Sequence, residues 1–361
     1  AAISIPGAMN TFLNVGLNEE IVEGMSAMDN YGWTSWDCYR RFLQTWGMVQ
    51  GIPRDDFDAV MVGFKERCGV ELKIHFSPAQ MREIARKYRR VVLDHGVVLV
   101  DDPFRQLTQA VLLVLDSWYT DRARVYRDKL QIAEDWGTAV VVQRMVLGNL
   151  NYDSGSGVVF THDPFVRESG IFLYGDFTVC SQGEDIVAGL VHTLPISERQ
   201  RLRSQTPVAE SLEKDFPAMY RALEAHALAI VQEHNFGHQE IEFTFESSRA
   251  EDLYILQTRD HSPTQQQQIA VFDSQAVQEH QVGSGIGIGG GALNGYICFD
   301  MDDLVAMRRA RPDGKLILVR PDTVPDDIGM IFECDGLLTA RGGATSHAAV
   351  TAVRLHKTCV V

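Results

Sequence analysis

A histidine that follows two glycines has the setting most suggestive of chemistry in this sequence. Gly342 and Gly343 free the backbone after a predicted strand, and Thr345 or Ser346 can cap a helix that starts around His347. A helix N-terminus favours negative charge, so it would stabilise a phosphorylated imidazole. The neutral ring is a nucleophile, and a P–N bond keeps a high transfer potential. From the residues alone, a second interpretation stays open, in which His347 only hydrogen-bonds at a helix start.

A predicted hairpin carries a second set of functional groups. Apolar and polar residues alternate strictly, with Ile241, Phe243 and Phe245 expected to face the core and Glu240, Glu242 and Glu246 to share the other face. The partner strand ends with Gln257 and Arg259 on one face. Carboxylate and amide oxygens suit Mg²⁺, and a guanidinium can form bidentate hydrogen bonds with phosphate oxygens. The alternative from the pattern is an amphipathic hairpin with a solvated acidic face.

The elements that must position these groups follow two periodicities. Residues 1–135 are predicted to be mostly helical, with breaks at residues 51–53 and 101–103. Two stripes at helical spacing are interpreted as core, namely Trp36, Tyr39, Phe42, Leu43 and Trp46, and then Val111, Leu112, Leu115 and Trp118. Strands are predicted at 138–143, 157–161, 171–174, 240–246 and 253–257, with a helix at about 217–234.

A polar and glycine-rich stretch separates a smaller unit at the end of the sequence. The predicted domains are a mostly helical one at 1–135, a second at 136–265 and a third at 285–361. A linker is predicted at 266–284, between the second and the third. The last unit is predicted to contain strands at 296–299, 315–319 and 336–338, with helices near 301–310 and from about Ser346. The fold class is multidomain α+β or α/β.

Composition excludes some partners. The 361 residues include 48 acidic and 33 basic ones, a formal net charge of -15, which argues against sequence-independent binding to nucleic acid or an anionic membrane. The six cysteines are scattered without paired spacing, which favours reduced thiols in a cytoplasmic or plastid stromal compartment. No apolar run reaches the ~20 residues of a spanning helix. Both ends are expected to be cut, since no initiator Met is present and residues 359–361 resemble the middle of a strand.

Several motifs, in order from end to end, resemble the pyruvate, phosphate dikinase family of phosphoenolpyruvate-utilising enzymes. The motif around His347 is LTARGGATSHAAV, residues 338–350. The upstream motifs are PG at 6–7, NTFLN at 10–14, GLN at 16–18, GN at 148–149, DSGSGVVFT at 153–161, LYGD at 173–176, QGEDIVAG at 182–189, IEFT at 241–244 and LQTR at 256–259.

The resemblance implies an ATP-grasp domain, of which this chain would hold the C-terminal part, followed by a swivelling β/β/α phosphohistidine domain. A TIM barrel for pyruvate would complete the enzyme, which is implied to be a homodimer when intact. The implied reaction converts ATP, phosphate and pyruvate to AMP, diphosphate and phosphoenolpyruvate. The barrel and the front of the ATP-grasp domain, with its phosphate-binding Lys and Arg, are not matched, so this chain alone is expected to be inactive in the full reaction.

Residue by residue, the resemblance implies that His347 is the phosphoryl carrier and that Glu242 and Gln257 are ligands of the Mg²⁺–nucleotide. The residues that it places around ATP are Ser156, Glu184, Glu240 and Arg259, with Gln143 and Met145 flanking the adenine. Thr345 occupies the position that is phosphorylated for regulation in plant relatives.

Departures from the family pattern keep alternatives open. The family has Arg at the position of Val353, and here an Arg follows one place later, at Arg354. Asp176 replaces a family Glu, Glu240 replaces a family Asp, and Gly289 to Gly291 replace a Ser-Pro-Gly turn. The alternatives are a phosphoenolpyruvate synthase or another dikinase of the family, and a non-catalytic paralogue that binds nucleotide without transferring phosphate.

Overall fold

The structure is a computed structural model that describes residues 9–163, 170–187, 193–203, 209–260, 271–272, 279–289 and 291–361. It divides into two compact units, one up to Met145 and the other from Val146 onward. Helices and two five-stranded sheets make a mixed α/β architecture, which agrees with the predicted fold class. Most of the predicted linker at 266–284 lies outside the described residues, and the domain boundaries stay predictions.

The first unit is helical, as predicted. Its helices are α1 (Glu19–Ser26), α2 (Gly32–Val49), α3 (Arg54–Cys68), α4 (Pro78–Asp94), α5 (Pro103–Asp116) and α6 (Asp121–Leu130). The predicted breaks fall between α2 and α3 and just before α5, where the Asp102 side chain accepts a hydrogen bond from Arg105 N and Pro103 occupies the first helical position. Ser77 and Gln80 form a capping box that starts α4.

The aromatic stripe of α2 forms the core of the helical unit. All five residues of this stripe are buried and pack with Tyr88 and Met81 of α4. The second predicted stripe was wrong in part, because Leu112 is 54% exposed and Leu115 is 38% exposed. Helix α5 instead buries Gln106 and Ala110, so its inward face is rotated from the one that the apolar residues suggested.

The first sheet belongs to the second unit and is antiparallel, in the order β3-β2-β1-β4-β5. Its strands are β1 (Gly155–Phe160), β2 (Tyr174–Val179), β3 (Leu194–Pro195), β4 (Gln239–Phe245) and β5 (Leu253–Asp260). The helices that accompany it are α7 (Gly183–Val187), α8 (Glu198–Arg203), α9 (Leu212–Asp215) and α10 (Pro217–Leu228).

One face of this sheet packs against α10 and contributes to a hydrophobic core. Ile241, Phe243 and Phe245 are buried against Met219 and Leu223 of α10, as the alternation predicted. Helix α10 continues directly into a π-helical turn, Ala229–Glu233, and together they confirm the helix predicted at about 217–234. Strand β2 begins where the predicted strand at 171–174 ends.

The predicted strand at 138–143 is absent, since residues 136–147 form neither helix nor strand. Val141 is 83% exposed and Val142 is 65% exposed. A β-branched run gains its stability from neighbouring strands, and neither described sheet includes this segment. The composition of residues 138–143 therefore suits a strand, but the prediction of a strand there is wrong.

The second sheet has the order β6-β10-β9-β8-β7 and is parallel apart from the pairing of β6 with β10. Its strands are β6 (Gly287–Ile288), β7 (Tyr296–Cys298), β8 (Leu316–Arg320), β9 (Gly336–Thr339) and β10 (Thr358–Val360). Its helices are α11 (Met301–Ala310), α12 (Ile328–Glu333) and α13 (His347–Arg354). The predicted elements of this unit are confirmed within one or two residues, and α12 is additional. Among the helices that the structure describes, none is long and apolar enough to span a membrane.

Candidate functional site

The face of the first sheet opposite its core, called the polar face below, gathers most of the predicted site residues. In β4 and β5, Glu240 lies opposite Arg259 and Glu242 lies opposite Gln257. Because side chains alternate along a strand, these four lie on the same face. Sequence pattern and pairing register therefore bring together two carboxylates, a carboxamide and a guanidinium on the polar face.

Arg259 connects these groups. Its guanidinium donates a hydrogen bond to Glu242, and its Nε lies 3.6 Å from Glu240 Oε1. With its amide oxygen turned toward the guanidinium, Gln257 accepts from Arg259 Nε at 2.6 Å. Burial raises the pKa of Glu240, and the positive charges of Arg259 and Arg354 oppose that rise. The positively charged guanidinium of Arg259 thus lies among the side-chain oxygens of Glu240, Glu242 and Gln257.

The donor set of the polar face fits a magnesium ion that is bound together with phosphate. Glu242 is only partly buried, at 28% side-chain exposure, and it faces Gln257 across the strand pair. Among the residues that the structure describes, no three His, Cys, Asp or Glu are grouped to hold a metal ion by themselves. Mg²⁺ commonly takes one or two protein oxygens and completes its shell with phosphate oxygens and water. Glu242 and Gln257 could supply those protein oxygens.

Ser156 lies in β1 opposite Thr244 of β4, also on the polar face. Its hydroxyl donates to Ser181 O at 3.1 Å and lies 3.0 Å from Thr244 Oγ1. The side chain is fully buried. Gly148 allows this packing, because a Cβ there would lie 2.4 Å from Ser156 Oγ. In this arrangement the hydroxyl supports the sheet from within, and it does not reach the surface.

The other residues predicted around ATP lie outside the strands of the first sheet. Glu184 is exposed in the first turn of α7. Gln143 and Met145 lie in the segment without regular structure and belong to the first compact unit. The structure therefore brings Ser156, Glu240, Glu242, Gln257 and Arg259 onto one sheet face.

His347 is the first residue of α13, as predicted. Ser346 caps the helix, its Oγ accepting from Ala349 N at 3.4 Å. The imidazole is 6% exposed, and its Nδ1 shares a hydrogen bond of 3.1 Å with the hydroxyl of Thr323. This bond fixes the orientation of the ring. Sequence reasoning missed Thr323, which is 24 residues away along the chain.

The loop at 340–346, between β9 and α13, contacts the polar face and is called the carrier loop below. Thr345 donates to Asp176 Oδ2 from both its backbone N and its Oγ1, each at 3.1 Å. Thr193 Oγ1 donates to the other oxygen of Asp176 at 3.4 Å. Gly343 leaves room for this approach, because a Cβ there would lie 2.8 Å from Asp176 Oδ2 and 2.8 Å from Thr193 Oγ1.

Asp176 is the residue of this contact that sequence reasoning did not assign a role. It lies in β2 beside Val158 of β1, which is also the register partner of Glu242. Burial raises the pKa of the Asp176 carboxyl, and the hydrogen bonds from Thr345 oppose that rise. The sequence signals for it were its membership in the motif at 173–176 and its replacement of a family Glu.

Apolar and charged contacts extend the same docking. Ala344 of the carrier loop is buried with Phe160 and Tyr174 of the first sheet, and Ile288 of β6 packs against them. Arg354, at the end of α13, is close enough to Glu240 for its charge to lower the pKa of that carboxyl. The domain that carries His347 is therefore seated on the polar face through its carrier loop and Ile288 of β6.

Comparison with known proteins identifies a family for two stretches of the chain. A family model described as the mobile domain of the PEP-utilising enzymes matches residues 312–361, which include the carrier loop and α13. A model described as the AMP/ATP-binding domain of pyruvate phosphate dikinase matches residues 1–215. The chain belongs to the pyruvate, phosphate dikinase family.

Individual relatives match along the whole chain. The chain is 35% identical to the chloroplastic pyruvate, phosphate dikinase of Flaveria trinervia, and the match covers 100% of this chain and 39% of that protein. It is 35% identical to the pyruvate, phosphate dikinase of Rhizobium meliloti and 33% identical to that of Clostridium symbiosum, in each case over 100% of this chain and 43% of the relative. The chain thus spans about two fifths of the length of these relatives.

Proposed function

We propose that this protein transfers a phosphoryl group from ATP bound on the polar face to His347, as the first part of the pyruvate, phosphate dikinase reaction. The observation that carries the proposal is the seating of the carrier loop on the sheet face that holds Glu240, Glu242, Gln257 and Arg259. In the full reaction, ATP, phosphate and pyruvate would become AMP, diphosphate and phosphoenolpyruvate. Transfer to pyruvate needs an acceptor-binding module that neither matched region represents.

In this proposal the polar face is the floor of an ATP-grasp site. Arg259 would release Glu242 and donate its guanidinium hydrogen bonds to phosphate oxygens, while Glu242 and Gln257 would turn their oxygens to Mg²⁺. Bound Mg²⁺ would neutralise developing charge on the phosphates. Glu240 would hold Arg259 in place, Ser156 would support the sheet beneath the ligand, and Glu184, Gln143 and Met145 would lie around the nucleoside. Since the chemistry of phosphoryl transfer is mostly positioning, these roles are geometric and electrostatic.

The carrier step would proceed at the imidazole of His347. A ring nitrogen forms a P–N bond to the transferred group while a P–O bond of the nucleotide breaks and its electron pair leaves with the nucleotide fragment. Thr323 would hold the ring through Nδ1 during that attack. The N-terminus of α13 and the capped carrier loop would stabilise the new negative charge.

A swivelling carrier domain would then leave the polar face. The contacts of Thr345 with Asp176 hold it there by a small number of polar groups and a small apolar patch, Ala344 with Phe160 and Tyr174. Such a contact is reversible at modest free-energy cost, which a carrier that alternates between two sites requires. Thr345 is buried against Asp176, so its phosphorylation would have to occur in the undocked state, consistent with the regulatory role suggested for this position.

Two alternative functions differ from this one, in the acceptor or in the absence of phosphoryl transfer. A phosphoenolpyruvate synthase or another dikinase of the family would share the nucleotide site and the carrier and differ in the acceptor. A non-catalytic paralogue is motivated by Val353, which stands where the family has Arg. Against that alternative, the positive charge of Arg354 is near enough to Glu240 to oppose the rise in the pKa of that carboxyl. A cytoplasmic or plastid stromal location, and a homodimeric intact enzyme, complete the proposal.

The proposal is tested by labelling the full-length polypeptide with Mg²⁺ and [β-³²P]ATP. We expect an acid-labile label in the wild type and none in His347→Asn, in which the ring nucleophile is lost and a polar side chain of similar size remains. Label that survives in His347→Asn would remove His347 as the carrier. A wild type that binds ATP but takes up no label would favour the non-catalytic paralogue.

A further inference from the structure

A pair of histidines extends the polar face beyond the nucleotide cluster. Phe160 of β1 lies opposite Glu240 of β4, and the ladder continues past the end of β1 through the hydrogen bond from Thr161 N to Gln239 O at 2.9 Å. The next pair of positions on the same face is His162 and His238. Their ring centroids lie 4.9 Å apart, with an angle of 40° between the ring planes.

The separation of the two rings suits a shared metal ion. With metal–nitrogen bonds of about 2.1 Å, two imidazoles on one tetrahedral or octahedral ion have ring centroids about 5 Å apart. Both side chains are partly exposed, so an ion can reach them from solvent. Desolvation and the neighbouring His162 both lower the pKa of His238, which keeps a lone pair available at neutral pH.

The surroundings of His238 also fix which of its nitrogens would bind. Its Nδ1 lies 3.2 Å from the Thr161 hydroxyl oxygen, and that oxygen also accepts from Gln239 N at 2.9 Å. Thr161 is fully buried, so this partner is held in place. When Nδ1–H donates to the hydroxyl oxygen, the Nε2 lone pair points away and is free to coordinate, which is the usual outer-shell arrangement of a metal-bound histidine.

We propose that His162 and His238 form a binding site for a borderline divalent transition-metal ion such as Zn²⁺ or Ni²⁺, separate from the Mg²⁺ position at Glu242 and Gln257. Imidazole nitrogens select these ions over Mg²⁺ and Ca²⁺, which prefer oxygen. Nearby carboxylates are engaged elsewhere, Asp163 with Arg203 and Asp260 with the amide of Gln239. Water therefore completes the coordination, and the site would bind reversibly rather than as a permanent structural centre.

Zinc binding by the protein tests this site. All proteins carry Cys68→Ser, because Cys68 is the one cysteine that is not buried and thiolates bind zinc. Free Zn²⁺ is monitored with a chromophoric chelator in the presence of excess Mg²⁺. We expect saturable binding in the parent protein, weakened at least about tenfold in His162→Gln and in His238→Gln. His226→Gln, at an exposed position of α10, is the matched control and should bind as the parent does.

Thermal unfolding provides an independent reading of the same site. An ion held by both histidines, one just after β1 and the other just before β4, binds only the folded state. Zn²⁺ should therefore raise the Tm of the parent and of His226→Gln but not of the two site variants. Circular dichroism without metal checks that the variants fold. The proposal is overturned if the parent shows no saturable binding, or if both site variants bind Zn²⁺ with unchanged affinity.

Discussion

At the scale of single residues, neighbouring polar groups have different roles in the proposed phosphoryl transfer. Arg259 connects Glu240, Glu242 and Gln257, and Thr323 holds the ring of His347. The carboxylates on the polar face do not share one environment, because Glu240 is buried and Glu242 is partly exposed. That difference supports a positioning role for Glu240 and a ligand role for Glu242.

Replacing Glu242 with Ala should abolish labelling of His347 while the fold is retained. The side chain is partly exposed and its backbone stays in β4, so the loss removes one oxygen ligand and the partner of Arg259. We expect the initial labelling rate to fall by at least about 100-fold, as when a transition-state electrostatic contact is removed. Glu251→Ala, in the turn of the same hairpin, is the control, and its rate should equal that of the wild type. Normal labelling in Glu242→Ala would remove Glu242 from the metal site.

Replacing Thr323 with Val should slow phosphorylation of His347 without changing the affinity for ATP. The hydrogen bond to Nδ1 is lost while the volume at this buried position is nearly kept, so the ring loses its fixed orientation. A bond of about 1 kcal/mol corresponds to a rate about fivefold lower. Single-turnover labelling gives the rate and the ATP dependence separately, and Thr323→Ser should restore the rate. A reduced ATP affinity with an unchanged labelling rate would show that Thr323 is not a positioning residue.

At the scale of elements, local patterns predicted the hairpin and the start of α13 correctly. Strict alternation in β4 determines which side chains face the core, and a Ser ahead of His347 is a sufficient helix start signal. Those signals act between neighbours in sequence. The contact of Thr345 with Asp176 joins residues 169 apart, and no local pattern encodes it. The false strand at 138–143 is the converse case, since its composition suits a strand but pairing depends on distant residues.

The carrier loop is the element whose shape most directly controls docking. Gly343→Ala would place a methyl group where 2.8 Å separates it from Asp176 Oδ2 and from Thr193 Oγ1. We expect the carrier domain to be displaced from the polar face and the labelling rate of His347 to fall about tenfold or more, as overpacking at a tight contact costs roughly 1–3 kcal/mol. Limited proteolysis should show faster cleavage at the edges of the displaced domain.

The matched control for this loop substitution is Gly287→Ala in β6 of the same sheet. A Cβ at Gly287 meets no atom within 4 Å, so the same chemical change should leave docking and labelling unaltered. Equal labelling rates in Gly343→Ala and Gly287→Ala would contradict a docking role for the carrier loop.

At the scale of the whole second unit, two carboxyl groups buried on the polar face both have raised pKa values. Asp176 and Glu240 are each shifted upward mainly by desolvation. A carboxyl with a raised pKa in the folded, docked state stabilises that state most at pH values below its ordinary pKa. This stabilisation is lost as the pH rises from the ordinary value of 3.8 for Asp176 through the raised one. Docking should therefore be coupled to proton uptake.

Asp176→Asn should remove the share of this pH dependence that Asp176 contributes. The amide oxygen can still accept from Thr345, and the side chain never ionises. We expect the Tm of the variant, relative to the wild type, to increase as the pH is raised from about 4 toward neutrality, because only the wild type must ionise a buried carboxyl. A constant difference across that range would show that Asp176 does not titrate between the folded and unfolded states.

Whether His347 is the phosphoryl carrier is tested most directly by locating the phosphate in the protein after reaction with ATP and Mg²⁺. Peptides prepared at alkaline pH, where phosphohistidine survives, would be sequenced by tandem mass spectrometry. We expect phosphate on His347 in the wild type and an unmodified His347 peptide in Glu242→Ala. Phosphate on Thr345 or elsewhere, with His347 unmodified, would contradict it.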